Sequence, residues 1–424
     1  LNVRHTCEQN RVEYWLRTIR AFGGDSPVVI VGNHADAQGH LLDLPQNRLK
    51  REFPNIYDFV QTSARENDRI DALRAALEQA VESLTHVRVL FAAPHLRVKE
   101  ALEGEKTRRN IIPCERYAEL CAAEGIEDPQ DQAALLELLH DLGVVLDFRD
   151  EQGEPLSREG ILNPNWVTNP IYRLITDRDV RGAAAGRLTP AMARRILHDY
   201  EAPHRWLILD LLKRFELAYP TGEAWYLPNA MRQDEPLKAA AEDWAEALAF
   251  EYEYSQLPES VITRFIVRAH EHIDQDLVWR WGVILAWQGN RALVRANVAG
   301  RRVEIRVKGA EHSRREMLAL IRAHFDAIHR TFTEGRAEGA LKIDQFICPP
   351  GYPGLRLDYR KLLAFEKDRI ETIPESWGGQ TIRLNVSALL NGFITPEARR
   401  EECRRLFPEA VSYTHLTLPT IYSV

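Results

Sequence analysis

The chain has 424 residues, is 45% hydrophobic and 28% charged, and carries a net charge of −7. These values exclude a disordered or collagen-like chain and supply apolar residues for several cores, so about two to four domains are expected. The acidic balance argues against nucleic acid as the main partner, and no run of ~18 apolar residues is present to span a membrane.

Residues 9–22 are predicted as a helix, with Val12, Trp15, Leu16, Ile19 and Phe22 on one face and Gly23-Gly24 as its stop. VVIVG at 28–32 follows, a continuous apolar run that suits a buried parallel strand. Asn33, His34, Ala35 and Asp36 leave that strand at its carboxyl end, where open α/β sheets hold their ligands. An Asn and an Asp three apart form a polar pincer. The carboxylate accepts two parallel N–H bonds, and the amide both donates and accepts. A guanine edge offers that pattern, N1–H and the N2 amino group beside the acceptors O6 and N7. Taken alone, N-x-x-D is more simply a capped turn.

A short helix is predicted at 46–52, ended by Pro54, then a strand at 56–61 that runs into QTSAR. A helix at 68–84 follows, opened by Asp68, with Ile70, Leu73, Leu77, Val81 and Leu84 inward. Alternating helix and strand predicts a parallel βαβ sheet. NHAD and then TSAR, each after a predicted strand, resembles the last two base-binding motifs of Ras-like GTPases, N-K-x-D and S-A-K.

From residue 94 the pattern turns helical, with helices at 94–103, 114–124 and 130–142. A strand at 144–148, an acidic turn and a strand at 160–162 form a predicted hairpin, giving a winged-helix pattern. Helix 130–142 has only Asp, Glu, Gln and His as polar residues, so it would repel phosphates and reads as a packing module. Helices at 164–179 and 203–219 follow, the second anchored by Trp206, Leu207, Leu211 and Phe215. A boundary is expected near 235.

Beyond it come a strand at 248–254 and a helix at 259–273. One strand at 278–287 is predicted to carry Trp279, Trp281, Val283, Leu285 and Trp287 on one face. Strands at 291–298 and 301–308 complete a three-stranded antiparallel meander. A helix at 312–333 buries Ile321, Phe325, Ile328 and Phe332, and 343–370 form an extended arm and a short helix. His270-Glu271-His272 is rejected as a metal site, because adjacent helical residues point about 100° apart. Cys7, Cys114, Cys121, Cys348 and Cys403 contain no C-x-x-C pair and read as reduced thiols of a cytoplasmic protein. Residues 411–424 follow a charged helix without any period and are set aside as non-native.

Together these residues resemble the Roco family of GTPases, which includes the leucine-rich-repeat kinases and bacterial Roc–COR proteins. The stretches that carry the resemblance are VEYWLRTIRAFGGDSPVVIVGNHAD, DLGVVLDFRD, ILNPNWVTNPIYRLI, WRWGVIL and CPPGYPG. It implies an α/β and α+β multidomain protein. Residues 1–88 would be the C-terminal half of a Ras-like Roc domain, and 89–235 a helical, winged-helix-like COR subdomain. Residues 236–395 would be an α+β COR subdomain built on the meander, and 396–424 a terminal helix and tail.

The resemblance further implies that Asn33 and Asp36 contact guanine, with His34 in place of the usual Lys stacking on the purine. Ser63, Ala64 and Arg65 would form the second base loop, the Ala64 N–H facing O6. No G-x-x-x-x-G-K-[ST] occurs; GEKT at 104–107 follows a predicted helix, and DAQG at 36–39 and DEQG at 150–153 read as turns. The phosphate loop, the Mg²⁺ site and both switches are therefore expected upstream of Leu1, in a longer protein that uses GTP/GDP and Mg²⁺. The chain itself is expected to bind GTP weakly or not at all and not to hydrolyse it. A homodimer through COR is implied. Helix 9–22 is expected to dock on the COR helices through Tyr14 or Trp15 and Phe22. Arg11, Arg17 and Arg20 are weighed as an arginine finger in trans, with surface solvation the simpler reading. The alternative function is an interaction scaffold with a vestigial nucleotide half-site.

Overall fold

A computed structural model of the protein describes residues 1–5, 10–36, 44–84, 91–147, 159–333 and 341–407. The chain divides into two units, Leu1–Met231 and Arg232–Val424. It is a mixed α/β protein whose larger sheet is antiparallel.

Unit 1 opens with α1 (Val12–Gly23), β1 (Val28–Gly32), α2 (Gln46–Glu52), β2 (Ile56–Gln61) and α3 (Ile70–Glu82). β1 and β2 pair in parallel, Ile30 beside Phe59 and Gly32 beside Gln61. Residues Leu1–Val3 extend this ladder on the other side of β1. The Asn33 N–H donates to the Leu1 carbonyl at 2.9 Å, and the Val3 N–H to the Asn33 carbonyl at 3.1 Å. Val3, Val12, Leu16, Ile30, Leu49, Phe53 and Ile56 form the core.

Two helices differ from the periodic reading. α1 buries Val12 and Leu16 but leaves Trp15 51% and Ile19 37% exposed. α3 buries Ala76 and Ala80, while Leu77 and Val81, expected inward, are 48% and 46% exposed. The paired strands are narrow, so each helix seats one strip of side chains and its remaining apolar positions face out. Asp68 is not the cap of α3 either. Arg69 holds that position in the left-handed region, φ 55°, and Asp68 exchanges backbone hydrogen bonds with Ser63 instead.

The helical part of unit 1 comprises α4 (Ala93–Lys106), β3 (Ile111–Pro113), α5 (Cys114–Ala123), α6 (Pro129–Asp141), β4 (Glu159–Ile161), α7 (Pro164–Thr176) and α8 (Arg178–Arg181). β5 (Arg187–Leu188), α9 (Pro190–Ile196), α10 (Ala202–Arg214), β6 (Tyr219–Thr221) and β7 (Ala224–Tyr226) complete it. Asp128 caps α6 by accepting from the Gln130 and Asp131 N–H groups. α6 presents Leu135 and Leu139 to a core with Val98, Leu102, Tyr117 and Cys121. Of the predicted hairpin the described residues include one bridge, Leu146 to Ile161, while β4 pairs antiparallel with β3; DEQG lies outside the described residues. GEKT begins inside α4, so it cannot serve as a strand-to-helix phosphate loop. Trp206, expected as an anchor of α10, is 65% exposed and packs edge-on against Trp225. Leu211 is buried as expected, and the helix also buries Ile208, Leu209 and Leu212.

Unit 2 contains α11 (Leu237–Ala240), β8 (Leu248–Tyr254), α12 (Glu259–Arg268), β9 (Ile273–Trp279), β10 (Gly282–Trp287), β11 (Asn290–Asn297), β12 (Arg302–Lys308) and α13 (Glu311–Thr333). After them come β13 (Ile343–Cys348), β14 (Leu357–Asp358), α14 (Tyr359–Lys367), β15 (Thr372–Trp377), β16 (Gln380–Asn385), α15 (Val386–Asn391) and α16 (Pro396–Leu406). Seven strands form one sheet in the order β14-β13-β8-β12-β11-β10-β9, with every pairing antiparallel. On β12, Val303, Ile305 and Val307 are buried and alternate with Glu304, Arg306 and Lys308. α13 buries Ile321, Phe325, Ile328 and Phe332, and Phe325 stacks on Phe265 of α12 at 4.4 Å.

The run expected as one strand at 278–287 is two. The chain reverses at Arg280-Trp281, and Gly282 pairs back onto Trp279. Gly282 makes this possible, since a Cβ there would stand 2.4 Å from the Trp279 ring. Trp279 is therefore buried while Trp281 stays half-buried. On the polar face, carboxylates and guanidiniums alternate. Arg295 meets Glu304 at 2.6 Å, Arg356 meets Glu251 at 2.8 Å, and Arg291 meets Asp274 at 2.7 Å. α16 packs on α14, and its Glu402 lies 3.0 Å from the buried Arg322 of α13.

Candidate functional site

Parallel pairing in register brings the ends of β1 and β2 side by side, so the loops beyond them start as neighbours. The Thr62 N–H donates to the Gly32 carbonyl at 2.8 Å, and the Ala35 N–H to the Thr62 carbonyl at 3.0 Å. Ser63 is buried and trades two backbone bonds with Asp68, closing its loop into a tight bend.

Side chains then tie one loop to the other. The Ser63 hydroxyl donates to Asp36 Oδ1 at 2.8 Å, and its oxygen accepts from the Glu66 N–H at 3.2 Å. Asn33 Oδ1 accepts from the His34 N–H at 2.8 Å and the Ala64 N–H at 3.0 Å. With its oxygen engaged inward, the Asn33 amide keeps a free NH₂ donor among the described residues. The Ala64 N–H, expected to face a purine O6, is directed to Asn33 instead, because the two loops lie close enough for the amide oxygen to capture it. His34 sits at φ 70°, a left-handed conformation uncommon for a residue with a Cβ. It turns the chain directly after Asn33. The Arg65 side chain is exposed and pairs with Glu66 at 3.4 Å.

The Ser63 hydroxyl holds the Asp36 carboxyl below its ordinary range, opposed by partial desolvation and aided by the charges of Arg4 and Arg65. Arg4 Nη2 lies 3.7 Å from Asp36 Oδ2. Sequence reasoning missed Arg4 and Asp68. Both act through long-range or backbone contacts that leave no spacing signal. The arrangement offers one outward amide donor and one ionised carboxylate, with Ser63 occupying a single lone pair. Such a pair fits a flat heterocycle bearing adjacent N–H donors beside acceptors.

The arginines of α1 are otherwise engaged. Arg17 pairs with Glu13 and Glu52 at 3.4 and 3.2 Å, Arg20 donates to the Glu52 carbonyl, and Arg11 stacks 4.0 Å over Tyr14. Among the described residues no group of three or more His, Cys, Asp or Glu is placed to hold a metal, and no helix is long and apolar enough to cross a membrane.

Residues 92–235 match the family model described as C-terminal of Roc, COR-A domain, and residues 245–392 match C-terminal of Roc, COR-B domain. The chain belongs to the Roc–COR, or Roco, family. It is 27% identical over 286 residues to a Roc-COR-CHAT protease of Runella zeae, covering 64% of this chain and 29% of that protein. To the probable serine/threonine-protein kinase pats1 of Dictyostelium discoideum it is 26% identical over 333 residues, covering 72% of this chain and 10% of the kinase. A solved structure of Methanosarcina barkeri Roco2 RocCORdC bound to GDP is 30% identical, with a TM-score of 0.41, covering 55% of this chain and 71% of that one. The chain thus spans under a third of the length of these curated relatives.

Proposed function

We propose that the chain supplies guanine recognition and a COR dimerisation module to a Roco-type GTP-binding protein, coupling nucleotide state to signalling in the cytoplasm. The observation that carries the reading is the cross-loop pair of hydrogen bonds, Ser63 to Asp36 and Ala64 to Asn33. They fix a carboxylate and an amide donor three residues apart at adjoining strand ends. In this reading Asp36 accepts from guanine N1–H and N2, and the Asn33 amide donates to the O6/N7 edge. The His34 ring covers one face of the purine, and Ser63, Ala64 and Arg65 form the second wall. In the complete protein a phosphate loop and Mg²⁺ supply phosphate binding and hydrolysis; the 424 residues contain no G-x-x-x-x-G-K-[ST]. In this reading α1 docks on the COR helices through Tyr14 or Trp15 and Phe22; Trp15 is 51% exposed and free to make that contact. The β3–β4 pairing beside α4 to α6 is compatible with a winged-helix-like first COR subdomain.

The test is titration of the chain with GDP and ADP, followed by NMR. Weak binding that prefers GDP, with the preference abolished by Asp36→Ala, is expected. Equal binding of the two nucleotides overturns the base-recognition role, and sub-micromolar affinity for a fluorescent GTP analogue overturns the expected weakness. A second reading, an interaction scaffold with a vestigial half-site, is favoured by Arg4, whose charge occupies Asp36. It predicts no guanine preference even in Arg4→Ala.

A further inference from the structure

α14 and α16 line an open cleft of about 490 Å³. Glu366 and Lys367 line it from α14, and Arg399, Arg400, Cys403 and Arg404 from α16. The single carboxylate is already engaged. Glu366 Oε1 lies 2.8 Å from Arg399 Nη1, and Arg399, itself buried, also donates to Asn391 Oδ1 at 2.8 Å. Three cations remain. Arg400 and Arg404 stand one helical turn apart, both exposed, and neither has a hydrogen bond or ion pair among the described residues. The Lys367 ammonium lies 5.5 Å from the Phe407 ring, with no carboxylate partner among the described residues.

Arg400 and Arg404 repel one another across one turn, and although Glu397 and Glu401 lie on the same helix, neither forms an ion pair with them among the described residues. The guanidiniums on the polar face of the sheet differ. Arg291, Arg295, Arg302, Arg306 and Arg356 each meet a carboxylate. Among the described residues that line the cleft, Glu366 is the one carboxylate.

We propose that this cleft binds a small phosphate-bearing molecule. Two guanidinium forks and an ammonium match the several acceptor oxygens and double charge of a phosphate ester. A single carboxylate would leave most of the positive charge unmatched. The volume falls in the ~300–1,000 Å³ range of small-molecule pockets, room for an ester beyond the phosphate itself. Once bound, the phosphate bridges α14 and α16 and tightens the packing of the last described helix.

Cys403, half-buried in the cleft wall, reports occupancy. Its alkylation by iodoacetamide is followed in the full chain by mass spectrometry, with inorganic pyrophosphate as probe and succinate at equal ionic strength as control. Pyrophosphate is expected to slow Cys403 alkylation several-fold and raise Tm, and succinate to do neither. Arg400→Gln/Arg404→Gln loses both effects, whereas Asp36→Ala, in the other unit, retains them. Absence of protection by pyrophosphate, equal protection by succinate, or protection that survives the double substitution overturns the proposal.

Discussion

Ser63 joins the two loops of the candidate site twice, through its hydroxyl to Asp36 and through its backbone to Asp68. A donor held against one carboxylate oxygen stabilises the ionised form, which is why the Asp36 carboxyl titrates below its usual range. Ser63→Ala removes the largest cause of that shift. The Asp36 pKa is expected to rise toward the ordinary carboxylate value of ~4, read by a carboxyl-carbon NMR titration. The sign matters for ligand recognition. Asp36 accepts N–H bonds only when ionised, so in the variant any guanine preference disappears at a higher pH than in the native chain. An unchanged carboxyl titration would refute Ser63 as the cause. NHAD and TSAR were legible in the sequence because short motifs after strands stay local. Arg4 and the capture of the Ala64 N–H by Asn33 were not, since both depend on which backbone groups the fold brings together.

Periodicity located the elements well, as with the strands at 56–61 and 248–254 and the long helix near 312–333. It failed on which apolar side chains find a partner. A helix sequence records an apolar stripe, but burial also requires a surface wide enough to cover it. Trp15 and Leu77 lie on apolar positions that stay about half exposed, and Trp206 meets only the edge of the Trp225 ring and stays 65% exposed. The β9–β10 reversal was missed for another reason. Alternation of Trp, Val and Leu continues through Arg280-Trp281, and only Gly282 marks the hairpin. That glycine gives a direct test. A methyl group there would lie 2.4 Å from the Trp279 ring and 2.7 Å from the Val294 carbonyl, both held in the sheet. Gly282→Ala is expected to destabilise unit 2 by about 2–4 kcal/mol, measured by chemical denaturation. A cost below ~0.5 kcal/mol would mean that the ring moves freely and the reversal is not built on this contact.

Each unit has its own buried clusters, and unit 2 also carries a proton-linked weakness. His329 is packed among Tyr252, Tyr254 and Phe325, with the Tyr254 hydroxyl 2.8 Å from its Nε2. Burial lowers its pKa to about 4. In the unfolded chain the value returns to ~6.5, so as pH falls the unfolded state takes up the proton first. This contribution to stability is complete above pH ~6.5 and is lost between there and pH ~4, by up to about 3 kcal/mol. His329→Gln removes that dependence, so denaturation midpoints at pH 7 and pH 4.5 should lie closer together in the variant than in the native protein. Equal separation in both would assign the acid sensitivity elsewhere.

The two outer strands of the seven-stranded sheet have a further bearing on how chains meet. β14 has only two residues, and β9 is interrupted by Gln275 and Asp276 at φ 47° and 60°, where its register with β10 shifts. Neither margin offers a straight row of free amides for another strand to join. Pairing of this sheet edge to edge with that of a second copy is therefore disfavoured. In the proposed dimer this sheet would contribute side chains rather than backbone, which would make the contact sensitive to substitution and able to come apart without unravelling the sheet.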